Sequence, residues 1–148
     1  MNTEIKEIIG LSEKFLFEIV AREKQPIILP DGEKIYRFEI HLIDLIGKNE
    51  GITVNELAKL LNVTKGAVSQ VITKLDKNNI VNKIKTANNR KNVNLYLTTK
   101  GKAIFEGHKQ FHDNIDNKIV EKFSKYSKNE IELIKSALGE VQNILSGI

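Results

Sequence analysis

Between Thr53 and Leu97 the apolar residues follow first one spacing and then another, and that change of period constrains the fold more than any other feature of the chain. Thr53-Val-Asn-Glu56 has the form of a capping box, in which the threonine oxygen accepts the Glu56 backbone N–H while the glutamate side chain reaches back. It opens a short helix carrying Leu57, Ala58, Leu60 and Leu61. A break at Asn62-Val63 leads to Thr64, a second good N-cap, and to a helix from Lys65 to about Asn78 with Val68, Val71, Ile72 and Leu75 on one face. After Ile80 helical spacing gives way to alternation. Val81, Lys83 and Lys85 alternate with Asn82, Ile84 and Thr86, and beyond the polar residues 87–92 come Val93, Leu95 and Leu97. Alternation on both sides of a polar turn predicts a β-hairpin. Two short helices joined by a tight break, with small Ala58 where they must approach closely and a hairpin behind them, predict a winged helix-turn-helix.

Helices are predicted on both sides. Ile5 to Lys24 carries Ile5, Ile8, Ile9, Leu11, Phe15, Leu16, Ile19 and Val20 at helical spacing, and Pro26 to Gly32 reads as a loop. Lys34 to Lys48 reads as a second helix, stopped by Gly51. Thr98 or Thr99 caps a long helix through roughly Phe123, and Asn129 to Leu145 forms a last one. The expected class is mainly α with a small β-hairpin wing: a winged helix-turn-helix flanked by N- and C-terminal dimerisation helices. The division is 1–33, 34–99 and 100–148. Alone, the chain would leave the apolar faces of its first and last helices uncovered, so a homodimer is expected.

Charge is sorted along the chain. Residues 57–105 hold ten basic side chains against one acid, Asp76, a net +9 that leaves −5 for the remainder of a chain totalling +4. Such a segment suits a polyanion, here double-stranded DNA. On the helix from Lys65 the outward residues are Lys65, Gly66, Ser69, Gln70, Thr73 and Lys74, with Thr64 at its start. Gln70 can pair with adenine, Ser69 and Thr73 can reach bases or phosphates, and Lys65 and Lys74 can reach phosphate or guanine. Arg90 and Lys91 stand at the hairpin tip, where an arginine can enter a minor groove. There is no cysteine, hence no disulfide and no thiol chemistry, and no apolar run of membrane-spanning length. With no basic-then-apolar segment after Met1, a cytoplasmic protein is expected.

Leu57-Ala58, the run Thr64-Lys-Gly-Ala-Val-Ser-Gln-Val-Ile-Thr-Lys-Leu75, Ile80-Val81, Asn88-Asn-Arg90 and Leu97-Thr-Thr-Lys-Gly101 together resemble the MarR family over nearly the whole chain. The resemblance implies a dimer on a pseudo-palindromic operator, its half-sites about one helical turn (~34–36 Å) apart. Asn88 stands where the family usually has an Asp paired with the wing arginine, so that ion pair is missing here.

The three histidines suggest an effector. His108 and His112 are four apart on one helix and project from one face, His41 lies on the second helix, and Glu23 ends the first. Three imidazoles and a carboxylate suit a borderline divalent ion such as Zn2+. Glu106 and Asp113 are candidates to orient the imidazoles. The set is similar to that of the zinc-responsive AdcR and ZitR branch of the family, where the resemblance implies zinc as a corepressor. That branch's auxiliary site uses a cysteine, and this chain has none, with Ile40 beside His41 and Gly107 before His108. Two other readings compete. A small aromatic or lipophilic effector could sit among Phe15, Phe38, Phe105 and Phe111. A zinc-dependent hydrolase would need a substrate cluster and a nucleophile–base pair, neither of which stands out, so a non-enzyme is expected.

Overall fold

The computed structural model describes residues 2–85 and 93–147, and every side chain in those ranges except those of Glu23 and Leu145. The order is α1 (Thr3–Glu23), β1 (Ile27–Ile28), β2 (Lys34–Ile35), α2 (Arg37–Lys48), α3 (Val54–Leu61), α4 (Lys65–Lys77), β3 (Val81–Lys85), β4 (Val93–Leu97), α5 (Thr99–Phe123) and α6 (Lys128–Ser146). This is the mainly helical winged helix-turn-helix that the change of period predicts.

The start of the second helix differs most. The second helix was expected from Lys34, but Lys34 and Ile35 form a strand and the helix begins at Arg37. Part of the expected Pro26–Gly32 loop is the partner strand, with Ile27 opposite Ile35 and Ile28 opposite Lys34. Turn chemistry decides this. Gly32 takes a left-handed φ of 84°, its N–H reaches the Leu29 carbonyl, and the Asp31 carboxylate accepts the Glu33 N–H. Closing the hairpin sends Ile35 inward, where it is fully buried.

Two compact units divide the chain, Met1–His108 and Lys109–Ile148. The first holds the described core: Ile40, Leu42, Ile43 and Ile46 of α2, Leu57 and Ala58 of α3, Val68, Ile72 and Leu75 of α4, and Ile80, Val81, Leu95 and Leu97 of the wing. The wing strands pair antiparallel from Val81–Leu97 to Lys85–Val93. A short extended segment widens the sheet: Gly51 donates to the Leu95 carbonyl and Leu95 to that of Ile52. Glycine is required at the start of α5, since a Cβ on Gly101 would collide with the Ile80 carbonyl oxygen. Gly47 likewise admits the Phe105 ring, which would stand 2.7 Å from a Cβ there.

In the second unit, α6 starts on a capping box between Ser127 and Glu130. Leu133, Leu138 and Ile144 are exposed on it. No helix among the described residues is long and apolar enough to cross a membrane.

Candidate nucleic-acid interface

The turn between α3 and α4 is made by one left-handed residue. Asn62 sits at φ 52°, allowing the Val63 N–H to reach the Ala58 carbonyl at 3.1 Å and the chain to restart as a helix. Thr64 then caps α4, its hydroxyl oxygen accepting the Ala67 N–H at 3.2 Å. The other end is closed in the same way: Asn79 at φ 56° lets the Ile80 N–H bond the Leu75 carbonyl and turns the chain into β3. Val68, Ile72 and Leu75 are fully buried, which fixes the roll of α4 about its axis. The opposite face carries the expected readers. Lys65, Gly66, Gln70, Thr73 and Lys74 are exposed and Ser69 is half-buried.

Their chemistry is narrower than the sequence suggests. The Thr73 hydroxyl donates to the Ser69 carbonyl at 2.8 Å, which leaves its oxygen and its methyl for a ligand. The Lys74 ammonium lies 2.5 Å from Glu39 of α2, and Lys83 lies 3.1 Å from Asp76. Lys100 bridges Asp31 and Glu33 at 2.7 Å each, and Lys102 stands 3.6 Å from Glu50. So four of the ten basic residues between 57 and 105 are held by acids, most of which come from the acidic remainder of the chain. Among the described residues, Lys59, Lys65, Lys77 and Lys85 form no ion pair. Arg90 and Lys91, like Asn88, lie outside the described residues.

Three residues enter the candidate interface that sequence reasoning did not single out. Lys77 is exposed one turn beyond Thr73 on the same face, a position a helical wheel would have shown. Asn55 and Lys83 line a cleft of about 200 Å³ with Lys65, Ser69 and Thr73, between α4, the start of α3 and the wing. Nothing local in the sequence brings Asn55 to that cleft, because the approach depends on the packing of α3 against β4.

The β1–β2 turn is clamped to the ends of α4 and α5. Besides Lys100, Glu33 accepts from the Asn78 side-chain amide. The Lys100 hydrogen bond holds the Asp31 carboxyl below its ordinary value, and Asp31, then Glu33, hold the Lys100 ammonium above its own. The Thr53 backbone N–H keeps Glu56 low, and the Ser127 hydroxyl does the same for Glu130.

The candidate metal ligands fall on the expected helices. His41 is exposed on α2, while His108, half-buried, and His112, exposed, stand one turn apart on α5. Glu23 ends α1, with its side chain outside the description. Glu106 and Asp113 are exposed. Among the described residues no group of three or more metal-binding side chains is assembled. Of the four candidate effector-lining phenylalanines, Phe38 and Phe105 pack on the core, whereas Phe15 and Phe111 are exposed.

The MarR family sequence profile matches residues 35–93, the span from β2 to the start of β4. The chain is 33% identical over 124 residues to the uncharacterized HTH-type transcriptional regulator YhjH of Bacillus subtilis, covering 82% of this chain and 69% of that protein. The crystal structure of Streptococcus pneumoniae FabT in complex with DNA is similar at a TM-score of 0.71 and 27% identity, covering 97% of this chain and 98% of that one. Lactococcus lactis ZitR, described as a zinc-responsive MarR family member, superposes at a TM-score of 0.74 with 20% identity over 93% of this chain and 99% of its own, a likeness of fold alone.

Proposed function

This chain belongs to the MarR family of helix-turn-helix transcription regulators, and from that premise we propose that it is a cytoplasmic repressor that binds a pseudo-palindromic operator as a homodimer. One observation carries the reading. Helix α4 is immobilised by a fully buried face while its other face presents Lys65, Gly66, Gln70 and Thr73 to solvent. A helix so held can enter a major groove, with its N-terminal residues nearest the bases. Gln70 supplies a bidentate amide for adenine, and Lys65 and Lys77 supply cations for phosphate. Thr64, Gly66, Ser69 and Thr73 complete the close approach, and Arg90 and Lys91, which lie outside the described residues, are the further candidate contacts by their place in the sequence. The complex between FabT and DNA supports this reading.

The second copy is inferred from surface chemistry. On α1, Phe17 is 76% exposed, and on α6, Leu133 is 70% exposed, each among further exposed apolar residues. Monomeric proteins seldom leave such stripes in water. Residues 1–33 and 100–148 would then supply the dimer contacts and 34–99 the DNA contacts. We read the protein as a regulator and not as an enzyme.

For the effector, zinc is the reading to test. It is favoured by the one-turn spacing of His108 and His112. Glu23, His41, His108 and His112 are the residues that would hold the ion. An effector can act only through differential affinity for the DNA-competent arrangement.

Selection of duplexes from a random pool by the purified full chain tests the proposal. The expected result is an inverted repeat with half-sites about one turn (~10 bp) apart. Recovery of no motif, or of an asymmetric one bound by a single chain, would reject it. Repeating the binding with zinc, with chelator and with the His41→Ala protein decides the effector: identical affinities throughout would remove zinc and leave the small aromatic or lipophilic ligand.

A further inference from the structure

Lys74 looks like a phosphate or base contact when only its place on the helix is considered. Its surroundings say otherwise. Its ammonium meets Glu39 Oε1 at 2.5 Å, across 35 residues of sequence. The Glu39 side chain is only 7% exposed, and its other oxygen, Oε2, accepts the Tyr36 backbone N–H at 2.8 Å. The same ammonium stands 5.4 Å from the centre of the Tyr36 ring. Glu39 is the one buried charged side chain among the described residues. A buried carboxylate left without a counter-charge is strongly unfavourable, so the ammonium cannot leave for a phosphate without stranding it. Lys74 also sits at the edge of the outward face that adjoins α2, whereas Lys65 and Ser69 sit at the opposite edge, along the cleft.

We propose that Lys74 is a positioning residue: with Glu39 and Tyr36 it pins α4 to the start of α2 and sets the angle at which the reading face meets DNA, without itself touching DNA. This rests on the DNA-binding reading above, and it makes a separable claim about one cation.

A phosphate-contacting lysine and a positioning lysine differ in two measurable ways. Losing a phosphate contact weakens binding about equally on all sequences and lowers the salt slope by about one. Losing a positioning contact leaves the slope in place and erodes the preference for the chosen site. The experiment compares the wild-type chain with Lys65→Gln, Lys74→Gln, Glu39→Gln and the double variant Glu39→Gln/Lys74→Gln. Each is titrated with the duplex selected by the wild-type chain and with a scrambled duplex over a range of salt concentrations. For Lys65→Gln the slope is expected to fall by about one on both duplexes. For Lys74→Gln the slope is expected to stay unchanged and the ratio of selected to scrambled affinity to fall at least fivefold. The double variant, in which two amides can bond where the ions did, is expected to recover part of that ratio. A slope loss of about one in Lys74→Gln, with equal weakening on both duplexes and no recovery in the double variant, would overturn the assignment.

Thermal unfolding of the same four variants without DNA tests the pair itself. The double variant should melt well above the temperature expected from adding the two single losses. Additive losses would show that Glu39 and Lys74 do not act together, whatever the DNA result. If the wild-type chain retains neither duplex, the DNA-binding reading fails and the unfolding cycle still judges the pair.

Discussion

The winged module and the outer helices use apolar residues in opposite ways. Between Ile35 and Leu97 most large aliphatic side chains are inside: Leu42, Ile46, Leu57, Val68, Ile80 and Leu95 have no exposed surface, and Leu60, Val63 and Ile84 are the exceptions. Along α1 and α6 they stand in water, from Ile8 and Phe17 to Leu133, Leu138 and Ile144. Apolar residues recur at helical spacing in both regions, so spacing alone does not say whether a face is satisfied. The difference teaches where each region's stability comes from. The module is stabilised by contacts one chain can make, while α1 and α6 carry apolar surface that the proposed second copy would cover.

Substitutions should separate the two regions. The largest effect is expected from Leu42→Ala, about 2–5 kcal/mol of unfolding free energy at any protein concentration, read by denaturant titration. Paired replacement of Leu133 and Leu138 by serine should instead act through mass action. Association should weaken tenfold or more, and the melting temperature should depend more steeply on concentration. An effect of that pair that ignores concentration would break the comparison. Thr53→Ala removes the cap of α3 and should cost about 1 kcal/mol of unfolding free energy, read by the same denaturant titration.

Acid and alkali should probe the turn and the caps. Asp31, Glu56 and Glu130 have depressed pKa values, so what they contribute is present above their ordinary values of 3.8, 4.5 and 4.5 and is lost as pH falls through the lower folded ones. Lys100 is raised, so its contribution is whole below 10.5 and is lost as pH rises through its folded value. A melting-temperature plateau between those limits is expected, and Lys100→Met should flatten the alkaline side. The smallest effect belongs to Lys102→Gln. Lys102 and Glu50 are each 62% exposed at 3.6 Å, and such pairs contribute about 0–1 kcal/mol.

What could be foreseen in the sequence follows from range. The Thr53 and Thr64 caps, the break at Asn62 and the alternation from Val81 are written in neighbouring residues, and each appears where expected. Lys34 and Ile35 misled because Ile35 also fits the helical spacing of α2. Their strand exists through pairing with Ile27 and Ile28 around a turn. The outward position of Lys74 was legible from the wheel, yet its acidic partner lies 35 residues away, so its role was not. The histidines were placed on the right helices for the same local reason, whereas their gathering around a metal depends on tertiary structure.

The most direct test of the account is the mass of the full chain in solution, measured by sedimentation alone and then with the duplex it selects. A species of twice 16.8 kDa is expected, one that takes up one duplex without dissociating and releases it as salt rises. A species of 16.8 kDa, or a dimer indifferent to duplex DNA at low salt, would contradict it.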